Sequence, residues 1–225
     1  MGECTGIGSA LAGNGRGRRS GIAPTAHRIT RTWKEFIVGA HSGIQDLTAV
    51  RAAIGQPHPL VKAKILDRLD DQGRKFIAAS PLMMLATANA DGEPDVSPRG
   101  DQPRTVVVAD ERKLYLPERH GNKLAFSLQN ILENSNVAVI FMIPGVDESY
   151  RVHGTARIVD DTETLTKLTA LGKPALLAIE VKVTRCFLHC GKAFKRSRLW
   201  QADARQNHKF RFGATIARES GGDRK

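Results

Sequence analysis

The pattern of hydrophobic and polar positions changes at Pro81, from a helical period before it to the first predicted strand after it. Over residues 60–77 the apolar side chains recur at spacings of three, four and seven, which predicts an amphipathic helix. A shorter helix is predicted over 45–54, closed by Gly55. The first run after Pro81, residues 82–88, is short and apolar, which predicts a strand.

The remaining pattern predicts hairpins with helices inserted between them. Asp91-Gly92 follows the first strand and is a strong hairpin signal. Further strands are predicted at 105–109, 113–116, 137–142, 149–159 and 175–183, and helices at 124–132 and 160–171. About six strands joined by tight turns predict a mostly β fold with inserted helices and N-terminal helices, in which the antiparallel sheet forms a small closed or partly closed barrel.

The net charge of +11 is distributed unevenly along the 225 residues. Residues 1–40 hold six basic and two acidic side chains, residues 191–225 hold ten and three, and residues 41–190 hold eighteen of each. The first segment is also rich in glycine and has no helical or strand period, which predicts disorder. We therefore predict a disordered basic tail over 1–40, a folded domain over 41–200 and a basic tail over 201–225.

Cysteine usage and hydropathy predict a cytoplasmic protein with no membrane partner. The three cysteines have no disulfide-framework spacing, and no apolar run approaches the roughly 20 residues of a membrane span. Cys186, His189 and Cys190 would share one side of a helix, where they could hold a soft metal ion. A buried cysteine pair is the commoner explanation of such a pattern, and we predict no metal.

Two motifs predict a site for a phosphorylated small molecule. The first is Ser-Pro-Arg-Gly-Asp at 97–101, and the second is Leu-Pro-Glu-Arg-His-Gly-Asn-Lys at 116–123, just before an apolar, helix-like run. They place Arg99 and Lys123 on turns near a helix start, where a fixed cation and free backbone N–H groups favour an anion. The alternative is that both are solvated turn charges.

With two further motifs, the chain resembles the FMN-binding split-barrel proteins related to pyridoxamine 5'-phosphate oxidase. These motifs are Asn-Ile-Leu-x-Asn at 130–134 and His-Cys-x-Lys-Ala-x-x-Arg-Ser-x-Leu-Trp at 189–200. The resemblance covers residues 44–200. It implies an FMN-binding split β-barrel that forms a homodimer with the flavin at the subunit interface.

The resemblance also implies roles for individual residues. Arg99 and Lys123 would hold the FMN phosphate, with Asn122 where the oxidases often have a second basic residue. Leu116 and Pro117 correspond to flavin-contacting positions. The full set of predicted cofactor-binding residues is Ser97, Arg99, Arg104, Leu116, Pro117, Asn122, Lys123, Ser149, His189, Arg196 and Trp200.

The implied function is a flavin-dependent oxidoreductase acting on a small molecule, with FMN doing the electron chemistry. No residue is a convincing catalytic acid or base. The oxidases' carboxyl-terminal substrate motif is absent, so pyridoxamine phosphate is not implied as the substrate.

The alternatives are a non-catalytic flavin carrier or sensor, the same barrel holding a deazaflavin or haem, and nucleic-acid binding through the basic tails. A charged tail alone is usually solvated, which disfavours the last of these.

Overall fold

The computed structural model describes residues 43–101 and 106–204, together with the single residues 213 and 216. Contacts divide the described chain into two units after Gly55. In the first unit, helix α1 spans Leu47–Ile54. The Asp46 side chain caps this helix by accepting a hydrogen bond from the Ala49 amide at 2.8 Å, and Gly55 ends it with a φ of 78°.

Within the described residues, the second unit contains seven strands and the remaining helices. The strands are β1 Leu82–Ala88, β2 Pro94–Gly100, β3 Val107–Asp110, β4 Lys113–Glu118, β5 Asn136–Met142, β6 Ser149–Val159 and β7 Leu177–His189. The helices are α2 Pro59–Ala63, α3 Asp71–Ala79, α4 Phe126–Glu133, α5 Thr162–Lys167 and α6 Lys192–Ser197, followed by a 3₁₀ turn at Ala202–Ala204. None of the helices in the described ranges is long and apolar enough to cross a membrane.

The strands form one antiparallel sheet in the order β2-β1-β5-β6-β7-β4-β3. Along β1 and β4, alternate residues such as Met83 and Leu114 are fully buried, as a sheet with one inner face requires. These two residues come from strands near opposite ends of the sheet order, yet they belong to one hydrophobic cluster. The sheet therefore curls around a common core, which confirms the predicted mostly β barrel with inserted helices.

The prediction of one helix over 60–77 was wrong. Helix α2 ends at Ala63, and the next helix begins only at Asp71. Between them, Leu66 exchanges two backbone hydrogen bonds with Cys186 of β7, at 2.9 and 2.7 Å. Asp70 then caps α3 by accepting a hydrogen bond from the Gly73 amide at 2.7 Å. Pairing with β7 therefore removes the middle of the periodic segment from helical structure.

The prediction that Cys186, His189 and Cys190 share one side of a helix was also wrong. The first two lie in β7, and Cys190 directly follows that strand. Residues three apart in a strand point to opposite faces, so Cys186 and His189 do not converge on one ion. No group of three His, Cys, Asp or Glu side chains within the described stretches is placed to hold a metal ion.

Helix α4 is inserted between β4 and β5 and lies over the β1–β2 hairpin. Its Asn130 amide donates to the Thr87 hydroxyl at 3.0 Å, and its Glu133 carboxylate accepts from the Ala90 amide at 3.1 Å. Ile131 packs into the core from the same helix. These contacts fix the C-terminal half of α4 on the hairpin, and Ser127 in its first turn lies beside strand β2, where the candidate site lies.

Candidate functional site

A cleft of about 550 Å³ lies between β2, the end of β4 and the start of α4. Its walls are residues 95–101, 117–122 and 124–128, with Met83 beneath them. Both sequence motifs that predicted an anion site contribute to these walls. The volume falls in the range typical of small-molecule sites.

Strand β2 turns one set of polar side chains towards the cleft. Asp95, Ser97 and Arg99 are half-buried, while the residues between them are exposed. This alternation follows from the two-residue period of a strand, so three residues of the motif region share one face. Arg99 was predicted on a turn; it lies inside β2, which is an edge strand and can therefore accommodate Pro98.

Arg99 is the most enclosed cation of the cleft. Its Nη1 donates to Oε2 of Glu118 at 2.6 Å, and the two side chains are only 15% and 24% exposed. Its Nε is buried and has no hydrogen-bond partner among the described residues. A buried N–H group without a partner is costly, so this atom has an unused donor for a ligand oxygen.

Arg119 fixes the turn after β4. Its Nε donates to the Asp101 carboxylate at 2.8 Å, and its Nη2 donates to the Leu168 carbonyl at 2.5 Å. The ion pair with Asp101 is mostly buried, with side chains 29% and 14% exposed. Arg119 and Glu118 were not predicted as site residues, although both lie inside the second motif. Their partners come from distant parts of the chain, which no local pattern reveals.

The turn into α4 has an unusual backbone. Lys123 and Ala125 have φ values of 63° and 55°, the left-handed region that non-glycine residues rarely adopt. Asn122 supports the turn by accepting a hydrogen bond from the Leu124 amide at 3.0 Å. Ala125 is the N-cap of α4 and has no side chain that could accept from the first-turn amides. These amides therefore suit an anion in the cleft.

Two hydroxyl groups complete this wall. The Ser127 Oγ lies 3.0 Å from Ser97 Oγ and donates to Asp95 Oδ2 at 3.4 Å. Ser127 is buried in the first turn of α4. Sequence analysis did not single it out, because only the docking of α4 on β2 brings it to Ser97.

The structure brings together four of the predicted cofactor-binding residues: Ser97, Arg99, Pro117 and Asn122 line the cleft. Leu116 is adjacent in sequence but fully buried in the core. Lys123 is exposed and does not line the cleft. Arg104 lies outside the described residues.

The other four predicted residues lie elsewhere and do not line the cleft. Ser149 and His189 are register partners at one end of the β6–β7 pair. The Trp200 indole donates to the Val146 carbonyl at 2.9 Å, and Arg196 is exposed on α6. Their role in a flavin site formed with a second subunit stays a prediction.

The family model of pyridoxamine 5'-phosphate oxidase matches residues 69–190, just over half of the chain. The chain belongs to this family. The match includes every strand and every cleft residue described above. No curated protein matches the chain.

Similar solved structures come from several bacteria. HupZ of Group A Streptococcus is 20% identical, with 53% of this chain and 93% of that chain covered and a TM-score of 0.45. The FAD-binding protein of Mycobacterium smegmatis is 18% identical, with 55% and 97% covered and a TM-score of 0.38. The haem storage protein HutZ of Vibrio cholerae is 14% identical, with 54% and 94% covered and a TM-score of 0.40.

Proposed function

We propose that the protein binds FMN in the α4 cleft and uses it in an oxidation–reduction reaction on a small molecule. The buried, unpartnered Nε of Arg99 is the observation that carries this proposal. Membership of the pyridoxamine 5'-phosphate oxidase family supports a flavin as the ligand.

The phosphate would lie between Arg99 and the start of α4. Arg99 supplies a charge-assisted hydrogen bond from Nε, and the uncapped amides of the first helical turn supply further donors. Ser97 and Ser127 lie at the same wall, where their hydroxyl groups pair with each other and with Asp95. One phosphate fits this donor set, since no glycine-rich pyrophosphate loop is present in the cleft residues.

The apolar part of the flavin would contact the apolar walls of the cleft. Leu124 and Phe126 line the cleft and are 52% and 53% exposed. Together with Pro117 they offer a surface that a planar ring can cover. The Asn122 side-chain NH₂ can still donate to a ligand, because its hydrogen bond to Leu124 uses only the oxygen.

When bound, FMN supplies the electron transfer, and the protein supplies position and electrostatics. Arg99 orients the phosphate end, while the apolar walls exclude water from the ring. The family relationship also supports a homodimer, in which a second copy would cover the exposed apolar residues at the cleft. Ser149, His189, Arg196 and Trp200 are the residues proposed to reach the partner's flavin.

The test is a comparison of FMN with riboflavin, which lacks the phosphate. We expect purified protein to be yellow and to release FMN on denaturation. Arg99→Met should weaken FMN binding by about tenfold or more, because it removes a charge-assisted hydrogen bond, and should leave riboflavin binding unchanged. Arg74→Met is the matched control, since its exposed ion pair with Asp71 lies outside the cleft.

A second variant separates binding from folding. Arg99→Met leaves the Glu118 carboxylate enclosed without its cation, which could destabilise the chain, so the double variant Arg99→Met with Glu118→Gln is measured in parallel. Equal losses for FMN and riboflavin in both variants would contradict the proposed phosphate site. A haem or deazaflavin spectrum would contradict FMN, and bound FMN without turnover by any reductant would favour a carrier or sensor.

A further inference from the structure

A second cavity, of about 610 Å³, lies among α3, the segment before it, the turn before β6 and the end of β7. Most of its lining side chains are apolar, and these are Leu66, Phe76, Val146, Tyr150, Phe187 and Leu188. None of its described lining residues belongs to the α4 cleft or to the set proposed to reach the partner's flavin. We call it the Phe76 cavity.

The apolar walls of the Phe76 cavity are in contact with solvent. Leu188 is 46% exposed, and four other apolar lining residues are only half-buried: Leu66, Phe76, Val146 and Phe187. Covering such a surface with another apolar group removes it from water and is favourable. The cavity therefore favours an apolar occupant.

Three charged side chains at the cavity decide which charge that occupant carries. Asp70 and Glu148 are carboxylates, and Lys64, 5.7 Å from the centre of the Phe187 ring, is the one cation among the described lining residues. Asp70 accepts the Gly73 amide as the N-cap of α3. Glu148 has no ion-pair partner within the described ranges. With two carboxylates and one cation, the lining favours positive charge beside the apolar groups.

The continuous described chain ends beside this cavity. The Trp200 indole donates to the carbonyl of Val146, which is a lining residue, at 2.9 Å. The same indole stacks on Phe194 of α6, with ring centroids 5.8 Å apart. The described chain then stops at Ala204, four residues further on. Since consecutive Cα atoms are about 3.8 Å apart, Ala204 lies within roughly 15 Å of Trp200.

The sequence that follows Ala204 has the composition that the cavity favours. Residues 205–212 lie outside the described residues, and they read Arg-Gln-Asn-His-Lys-Phe-Arg-Phe. Two phenyl rings, Phe210 and Phe212, are interleaved with two cations, Lys209 and Arg211. Six residues of chain can span roughly 20 Å, which is more than the greatest possible distance from Ala204 back to Trp200. The segment can therefore reach the cavity of its own chain.

We propose that residues 209–212 bind in the Phe76 cavity of the same chain, with Phe210 and Phe212 against its apolar walls and Arg211 paired with Glu148. Burial of two phenyl rings supplies most of the stabilisation. The guanidinium supplies a charge-assisted hydrogen bond to a carboxylate that has no other cation. This contact makes the end of the basic tail part of the fold. It does not depend on which ligand the α4 cleft binds.

Hydrogen exchange of residues 205–212 in the full-length protein, read by mass spectrometry, tests the contact. We expect these amides to exchange at least about tenfold more slowly than in a synthetic peptide of residues 205–225. Phe210→Ser with Phe212→Ser should restore the rate of the matching peptide. Ile216→Ser is the control, because Ile216 is an apolar residue of the same tail that is 67% exposed. Equal exchange rates in wild-type protein and peptide would overturn the proposal.

Charge reversal identifies the surface that the tail contacts. Glu148→Arg and Arg211→Glu should each remove most of the protection, and the double variant should regain it because the ion pair is rebuilt with the charges exchanged. Glu163→Arg, at an exposed carboxylate outside the cavity, should have no effect. Leu188→Lys tests the apolar wall independently of Glu148 and should also remove protection. Full protection in both Glu148→Arg and Leu188→Lys would overturn the proposal.

A disulfide cross-link decides between the same chain and a second copy. Gln72→Cys places a thiol at the cavity, and Gly213→Cys places one directly after the proposed segment. Cys4→Ser and Cys190→Ser remove competing thiols, while the buried Cys186 is kept. We expect oxidation to join positions 72 and 213 within one chain, as read by peptide mapping and a non-reducing gel. A cross-link between two chains, or one no more frequent than with Glu163→Cys in place of Gln72→Cys, would overturn the proposal.

Discussion

The Arg99 guanidinium and the Glu118 carboxylate are 2.6 Å apart, although their strands are far apart in the order of the sheet. Five strand spacings separate β2 from β4 in that order, which would be about 24 Å in a flat sheet. The ion pair therefore exists only because the sheet curls, and it lies in the wall of the cleft. Its carboxylate is next to the proposed phosphate position.

Glu118→Gln should raise the affinity for FMN. The substitution removes a negative charge from beside the proposed phosphate and frees the Arg99 guanidinium from its ion pair. We expect a gain of about threefold to tenfold, or roughly 1 kcal/mol, with riboflavin unchanged. Titration of both ligands measures it, and Glu111→Gln, an exposed carboxylate outside the cleft, is the control. A weaker FMN affinity would instead show that Glu118 is needed to hold Arg99 in its binding position.

Gly154→Ala should destabilise the fold. A Cβ at this position would clash with the Lys182 carbonyl, and the site lies at the register shift between β6 and β7. Overpacking of this kind costs about 1–3 kcal/mol. Urea unfolding of the variant and of wild type measures the decrease in the free energy of unfolding. Gly121→Ala is the matched control because nothing lies within 4 Å of its added Cβ, so an equal loss in both variants would contradict the clash.

Glu180→Gln should lower stability at neutral pH and have a smaller effect in acid. Hydrogen bonds from Arg157, at 2.8 and 2.9 Å, hold the pKa of Glu180 below its usual value of 4.5. A depressed pKa means that the ionised form stabilises the fold above the unfolded-state pKa. This contribution is lost as the pH falls below about 4.5 and through the folded-state pKa.

The measurement is urea unfolding of wild type and Glu180→Gln between neutral pH and acid. Arg157 is 68% exposed, so solvent screens its charge. The difference in free energy of unfolding between the two proteins at pH 7 is therefore limited to roughly 1 kcal/mol. Glu163→Gln is the control, since its ion pair with Lys167 is exposed on both sides. If the difference in free energy of unfolding between wild type and Glu180→Gln stays constant down to low pH, an ionic contribution is contradicted.

Deleting residues 1–40 should leave cooperative unfolding and FMN binding unchanged. This segment lies outside the described residues; its glycine-rich, aperiodic sequence cannot form a core of its own. Thermal melts and FMN titration of the shortened chain measure both properties. Loss of either would contradict the predicted domain boundary. A salt-sensitive affinity for DNA that disappears with the deletion would identify the segment as a nucleic-acid arm.

Local pattern was sufficient for the strands over 82–88 and 149–159. Both predicted strands have those bounds in the structure. The first is a short apolar run between Pro81 and Asn89, and the second alternates over most of its length. Arg99 was singled out because its motif lies next to a predicted strand, and the family resemblance implied Ser97 and Asn122; all three line the cleft. The helix over 60–77 failed because apolar spacing does not reveal that Leu66 pairs with Cys186.

Sequence analysis missed strand β2 and the break between α2 and α3. By itself, the sequence determined six of the seven strands in the described residues, the antiparallel barrel class and the two motifs that line the cleft. These depend on period, turn residues and local spacing, which act over a few residues. Only the tertiary structure decided that Arg99 meets Glu118, that Ser127 reaches Ser97, and that Lys64 lies over Phe187. Each of these contacts joins residues that are far apart in the chain, and their distance depends on how the sheet curls and where the helices dock.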